Sequence, residues 1–239
     1  MKKALLFCML VPLLGMSQTK NVISVTRNFA KADKVLEFEK ALASHSQKYH
    51  TGDWKWRVFE ISSGPFAGGY LIVEGPVSWE QLDTRGNLGV EHNNDWNKNV
   101  AIYTTDRSTS DYLVFDTSLS TVMITDYAEK INITHITQKV GYGGKIYDMI
   151  KTFRPVWKEG GQSVAVYSAS SSGPAGYLVV TRYKNGLKER ADGYRKPFKE
   201  RYEAIHGEDS WNEVIDMQRN FVQDQWSELL FMRTDLGSK

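Results

Sequence analysis

The sequence contains a single cysteine, Cys8, and has no excess of charge of either sign. One cysteine excludes the disulfide frameworks that hold small secreted domains together. The 30 Lys and Arg residues are balanced by 28 Asp and Glu residues, so the chain lacks the basic surplus typical of nucleic-acid-binding proteins. Aromatic residues make up 12% of the chain, which is too many for a disordered protein. We therefore expect a folded protein with no nucleic-acid partner.

Long apolar runs are also scarce. The run Ala4–Leu14 follows Lys2 and Lys3 and precedes Gly15-Met16-Ser17, the order of a secretory signal peptide. It is shorter than the roughly 20 residues that a membrane-spanning helix needs. We predict that residues 1–17 are a signal peptide cut before Gln18, giving an exported protein, periplasmic or secreted, without membrane insertion after cleavage. The cut would remove Cys8, so no cysteine nucleophile and no thiolate metal site is expected.

An internal repeat is the most informative pattern in the chain. Residues 62–73 (SSGPFAGGYLIV) recur as residues 171–180 (SSGPAGYLVV), and two later segments recur in the same order. These are Trp96-Asn97, matched by Trp211-Asn212, and Leu113–Phe115, matched by Leu229–Phe231. Several collinear matches predict a tandem duplication. We place the first copy in residues 18–120, a linker in 121–131 and the second copy in 132–239.

Each copy predicts a strand followed by a helix. Residues 22–28 and 133–140 have the residue composition that is typical of strands. The apolar stripe of the first helix consists of Val35, Phe38, Leu42, His45 and Tyr49. Ile146, Ile150, Phe153 and Trp157 form the stripe of the second helix, where we expect Pro155 to distort or shorten the last turn.

A hairpin, a second helical region and a closing strand complete each copy. The hairpin strands are 55–61 with 69–74, and 164–169 with 176–183, joined by Ser-Gly-Pro turns. Ser210 and Glu213 have the spacing of a helix capping box. The closing strands are 112–116 and 226–232. The order is β-α-β-β-α-β in both copies, the ferredoxin-like unit.

The expected fold class is α+β, with two ferredoxin-like βαββαβ repeats packed as an intramolecular α+β barrel. This element order and duplication resemble the dimeric α+β barrel group, which includes antibiotic-biosynthesis-monooxygenase-like domains. The resemblance covers residues 22–237 and contains no catalytic motif. It implies the fold, and it leaves open cofactor-free oxygenation, haem handling and simple ligand binding, because members of the group do all three.

His45 is the first candidate ligand-binding residue, because it interrupts an apolar helix stripe where the second copy has Phe153. A titratable ring at that position suits a general base or a haem ligand. A partly buried histidine with a hydrogen-bonded nitrogen is the simpler structural alternative.

Two histidine–tryptophan pairs are the next candidates. His92 precedes Trp96 and His206 precedes Trp211, so each copy places an imidazole and an indole near its last helix. They predict two related pockets, unless the tryptophans only anchor the core.

Two strand arginines, Arg57 and Arg182, complete the set of candidates for a small-molecule site, since a guanidinium can orient a carboxylate ligand. Exposed strand charges are the alternative. The Lys- and Arg-rich segment 184–201 is diluted by acidic residues, which indicates a solvated helical surface.

No metal site is predicted from the motifs. Glu203 and His206 have the Glu-x-x-His spacing of di-iron bundles but lack a second such motif. No His-x-x-x-His pair or phosphate-binding loop is present, and residues 141–144 (GYGG) predict a plain turn. We predict no cofactor, with haem on His45 or His206 as the alternative.

The sequence thus favours an exported α+β barrel that binds a small, partly apolar molecule. Two alternatives remain open: a cofactor-free oxygenase or haem-handling enzyme, and a protein-interaction module without a pocket.

Overall fold

Eight antiparallel strands close into one barrel, in the order β1-β3-β2-β8-β5-β7-β6-β4. The strands are β1 (Val22–Ala30), β2 (Trp56–Ser63), β3 (Tyr70–Val77), β4 (Thr104–Phe115), β5 (Lys130–Gln138), β6 (Ser163–Ala169), β7 (Gly176–Arg182) and β8 (Val222–Met232). The first four strands form the arc β4-β1-β3-β2 and the last four form β8-β5-β7-β6. Each arc is thus built from one half of the chain; the origin of the halves by duplication stays a prediction.

The computed structural model describes residues 19–170 and 173–239. The predicted signal peptide and its cleavage point before Gln18 therefore lie outside the described residues, as do Ser171 and Ser172 of the repeat. Within the described ranges, none of the helices combines the length and the apolar character that a bilayer crossing requires.

Alternation along the strands separates a barrel interior from an outer, helix-covered face. On β1, Ile23 and Val25 belong to the interior core, whereas Ser24, Thr26 and Asn28 line a cleft on the opposite face of the strand. This is the period of two that a strand imposes on its side chains. Burial of the interior side chains makes the barrel one shared core.

Six α-helices pack around the barrel in the described part of the chain. They are α1 (Val35–Tyr49), α2 (Trp79–Arg85), α3 (Val90–Asp95), α4 (Gly143–Glu159), α5 (Phe198–His206) and α6 (Trp211–Phe221). The helix α1 buries Phe38 and Leu42 against Val58 and Ile72 of the sheet. The helices α4, α5 and α6 form a second outer cluster with β6 and β7.

The predicted elements are all present, with shifted limits. The strand β5 begins at Lys130, inside the predicted linker, and β4 begins eight residues before the predicted Tyr112. Pro155 does not shorten α4, which continues to Glu159 with Val156 and Trp157 buried. Burial of these two side chains outweighs the loss of one backbone donor at the proline.

The predicted capping box at Ser210 is wrong. Ser210 has helical backbone angles and its side chain caps nothing, because an N-cap hydroxyl needs an extended backbone to reach the N3 amide. Ser78 has that extended backbone and forms a capping box with Gln81 at the start of α2.

The segment between β4 and β5 closes one end of the barrel. Its Leu119 and Ile124 are buried, and the Tyr127 ring lies 3.8 Å from the Arg57 guanidinium carbon. Arg182 donates to the carbonyl oxygen of Met123 at 3.0 Å. A small apolar cavity of about 50 Å³ is left inside the barrel next to this end.

Candidate metal centre

Three imidazoles converge on one point outside the barrel. His45 lies on α1, His50 follows the end of α1, and His92 lies on α3. The Nε2 atom of His50 is 3.4 Å from Nε2 of His45 and 3.4 Å from Nε2 of His92. All three potential ligand atoms lie within 4.8 Å of one another.

The helix α1 and the chain just beyond it place two of these rings. His45 belongs to the inward stripe that begins with Phe38 and Leu42, so the fold of the helix points it at the sheet. His50 caps the C-terminal end of α1 through its backbone N–H, which donates to Ser46. Both imidazoles are almost fully buried, with exposed fractions of 0% for His45 and 1% for His50.

Each of the three rings is held through its other nitrogen. The Nδ1 atom of His45 lies 2.7 Å from Asp95 Oδ2, and Nδ1 of His50 lies 3.0 Å from Glu74 Oε2. Nδ1 of His92 is 3.1 Å from the side-chain oxygen of Asn93. Since these oxygens accept, each Nδ1 carries a hydrogen, and in a neutral ring with that tautomer Nε2 has the lone pair.

Glu74 is the most heavily bonded carboxylate of the site. Its two oxygens accept both terminal nitrogens of Arg85, the indole N–H of Trp56 at 2.7 Å and the N–H of His50. Burial by itself would raise the pKa of Glu74, but these hydrogen bonds and the charge of Arg85 hold it below its ordinary value. Glu74 is therefore an anion at neutral pH.

Asp95 is ionised as well. Burial raises the pKa of its carboxyl, and the hydrogen bonds from His45 and Asn99 outweigh this effect and lower it. For the two buried histidines, desolvation is the largest influence and lowers the pKa of His45 and of His50. Neutral imidazoles anchored by carboxylates through Nδ1 are the form in which histidine binds metal ions.

A cleft of about 290 Å³ adjoins the histidine cluster through His50 and His92. It lies between the outer face of β1 and β3 and the helices α2 and α3, and His50 and His92 form part of its wall. The rest of the wall combines polar and apolar side chains: Ser24, Thr26, Asn28, Trp56, Ile72, Glu74, Arg85, Leu88 and Trp96. The cleft is large enough for a small organic molecule.

Three of the four sequence-predicted residues of the first half meet here. His92 and Trp96 line the cleft, and the Trp96 ring packs edge-on against His45 at 5.3 Å. The structure therefore brings His45 together with the His92–Trp96 pair, which the sequence predicts on separate grounds.

Their counterparts in the second half are arranged differently. His206 donates from Nε2 to the carbonyl oxygen of Thr152 at 2.9 Å. Trp211 packs against Phe153, Phe198 and Tyr202, so aromatic rings occupy the space between α4, α5 and α6.

The two strand arginines lie away from the histidines. Arg57 donates to the carbonyl oxygen of Gly75 at 2.9 Å and stacks on Tyr127, and Arg182 bonds to Met123 and Tyr167. Both side chains therefore tie the closing segment to the end of the barrel.

Sequence reasoning missed His50, Glu74 and Asp95. Weak signals pointed to His50 and Glu74. His50 is one of only five histidines and follows directly on the stripe that contains His45. Glu74 stands in the otherwise apolar run of β3, where a buried carboxylate needs several donors.

A separate polar cluster lies at the other mouth of the barrel. Glu228, with 1% exposure, accepts from Arg27 and from Nε2 of His135 at 2.9 Å. The His135 ring stacks on Trp226 with ring centres 3.7 Å apart. A cavity of about 290 Å³ opens next to this cluster.

Comparison with known proteins supports the fold and stops there. No family model and no curated protein matches the sequence. Among solved structures, a proposed monooxygenase from Lactobacillus acidophilus NCFM is 13% identical, with a TM-score of 0.53 over 92% of this chain and 96% of its own. An anthrone oxidase-like protein is 11% identical, with a TM-score of 0.56 over 91% and 94%. A proposed monooxygenase from Fusobacterium nucleatum is 11% identical, with a TM-score of 0.54 over 88% and 91%. At these identities the likeness shows that the chain shares the α+β barrel fold with these proteins.

Proposed function

We propose that this protein holds one divalent metal ion on the Nε2 atoms of His45, His50 and His92, and that the ion acts on a small, partly apolar molecule in the adjoining cleft. The observation that carries the proposal is the convergence of three Nε2 lone pairs. Lone pairs 3.4 Å apart repel each other, and the Nδ1–H groups are committed to oxygen acceptors. A shared cation converts this repulsion into attraction. The proposal opposes our expectation from the motifs that no metal site exists.

The spacing favours a tetrahedral ion such as Zn²⁺. With Zn–N bonds of about 2.0–2.1 Å, tetrahedral geometry places two ligand nitrogens roughly 3.3–3.4 Å apart. Both distances from His50 Nε2 are 3.4 Å, whereas the three nitrogens together spread over 4.8 Å, so binding one ion requires the His45 and His92 rings to move closer to each other. Three protein ligands with a fourth position open to a cleft are typical of catalytic rather than structural zinc.

The chemistry follows from that open position. A metal ion with such an open position would polarise the carbonyl oxygen of a bound molecule, and it would lower the pKa of a bound water molecule. The residues of this chain supply the rest: Asp95 and Glu74 fix the imidazoles, and Ile72, Leu88 and Trp96 offer an apolar wall to the molecule.

The haem alternative lacks a comparable supporting observation at either of its two residues. His45 has Nδ1 bonded to Asp95 and turns Nε2 toward another imidazole. The Nε2 of His206 is bonded to a backbone carbonyl.

The test is a metal titration of the chelator-treated protein against a chromophoric competitor, with Co²⁺ as a spectroscopic probe. We expect one Zn²⁺ per chain and the strong visible absorption of tetrahedral Co²⁺. His92→Ala should weaken binding at least 100-fold. His206→Ala is the matched control, because His206 precedes Trp211 as His92 precedes Trp96, and it should bind like the wild type. Failure of the wild type to bind, or equal affinities for wild type and His92→Ala, would remove the proposal.

Export belongs to the proposal as well, on the pattern of residues 1–17 alone. N-terminal sequencing of the protein recovered outside the cytoplasm should begin at Gln18. Recovery of the chain in the cytoplasm with Met1 intact would contradict it.

A further inference from the structure

The cleft beside the three histidines is elongated along the sheet. Ser24 pairs with Glu74, and Asn28 pairs with Tyr70. Four residues separate these two levels of the ladder, which is about 13 Å at roughly 3.3 Å per residue. Ser24, Glu74 and Asn28 all line the cleft, so it spans that distance.

The histidines stand at one end of this length. His50 is bonded to Glu74, at the Ser24 level. The helix α1 runs above the sheet from the Asn28 end, where Phe38 packs on Tyr70 at 5.2 Å, to the histidine end, where His45 packs on Trp56 at 5.5 Å. Asn28 therefore marks the end remote from the histidines.

Asn28 is a buried amide with an unmet hydrogen bond. Its exposed fraction is 6%, and its Nδ2 has no partner among the described residues. A buried donor without a partner costs free energy that a bound acceptor recovers. Thr26 pairs with Ile72 at the level between Asn28 and the histidine end, and both residues line the cleft, so the Ile72 side chain gives its middle an apolar surface.

We infer that the cleft takes an elongated molecule about 10 Å long, with a metal-reactive group at the histidine end, an apolar middle and an oxygen acceptor that receives the Asn28 amide. This inference rests on the proposed metal centre. It adds a substrate class: compounds with a carbonyl or carboxylate oxygen at the end opposite to the reacting group.

The test uses two eight-carbon hydroxamic acids, since hydroxamates chelate metal ions. One ends in a methyl group and the other in a carboxamide. Binding to the Co²⁺-loaded protein is followed by the visible spectrum and by calorimetry. We expect the carboxamide compound to bind roughly tenfold more tightly than the methyl compound, the difference typical of one buried hydrogen bond.

Asn28→Leu should abolish this preference, so that the carboxamide compound no longer binds more tightly than the methyl compound. Asn132→Leu is the matched control, on the first strand of the second half, and it should keep the preference. Absence of the Co²⁺ spectrum in the wild type would refute the metal centre and this inference with it. A normal Co²⁺ spectrum with equal affinities for the two compounds, or a preference that survives in Asn28→Leu, would refute the inference and leave the metal centre standing.

Discussion

His45 and His50 face each other through their Nε2 atoms at 3.4 Å, while each is fixed from behind by a carboxylate. The carboxylate determines which nitrogen carries the hydrogen and thereby aims the lone pair at the neighbouring ring. With both rings neutral, the arrangement places two lone pairs face to face, and the cation that we propose would use them as ligands.

The first prediction concerns the anchor behind His45. Asp95→Ala leaves the three ligands in place but removes the acceptor that fixes the His45 tautomer. We expect Zn²⁺ affinity to fall 10- to 100-fold, the usual cost of losing such a partner. The measurement is the same competition titration. Asp53→Ala is the control, because Asp53 bonds Lys20 and Gln81 instead of a histidine. An Asp95→Ala protein with wild-type affinity would argue against the ligand role of His45.

The second prediction is thermal. A ligand that binds only the folded state at 100 times its Kd stabilises it by about 2.7 kcal/mol. For a chain of this size that corresponds to a rise in Tm of roughly 5–10 °C. We expect this rise when Zn²⁺ is added to the chelator-treated wild type, and its absence in His92→Ala. A rise of the same size in both proteins would indicate binding elsewhere.

The third prediction concerns pH and His135. Burial, the largest influence, lowers the pKa of His135 below 6.5, although Glu228 and Asp111 act in the opposite direction. Arg27 also lowers it. Between the folded pKa and 6.5 the unfolded chain binds more protons, so the free energy of unfolding falls as pH drops through that range.

His135→Gln should reduce this slope, since glutamine does not titrate and its amide N–H can still donate to Glu228. Denaturant unfolding of the chelator-treated proteins at pH 7.5 to 5 measures the slope. Identical slopes for the wild type and His135→Gln would contradict the prediction.

Much of the fold could be predicted from local sequence patterns, because apolar periodicity indicates which face of a helix or strand is buried. The stripe of α1 placed Phe38, Leu42 and His45 correctly on the inward face. The first and last residues of β5 were harder to predict, since its pairing with β7 and β8 depends on residues distant in the chain.

Only half of the candidate site could be predicted from the sequence, for the same reason. His45 and His92 could be suspected from local context, but their meeting depends on how α3 folds over α1. His50 and Glu74 gave little local signal, because their roles arise from a contact between a helix end and a strand 24 positions further along.

The last prediction tests whether the ion pair at the barrel mouth stabilises the fold. Arg27→Ala would leave the Glu228 carboxylate buried, with His135 as its remaining hydrogen-bond partner among the described residues. Removing one member of a buried pair costs about 3–5 kcal/mol, because the other charge stays desolvated. Replacing both members, as Arg27→Met with Glu228→Leu, removes both desolvation penalties and should restore most of the wild-type stability. Denaturant unfolding of the two proteins gives the comparison. If the double variant proved as unstable as Arg27→Ala, the ion pair itself would stabilise the barrel. The loss of stability in Arg27→Ala would then not come from the unpaired Glu228 charge alone.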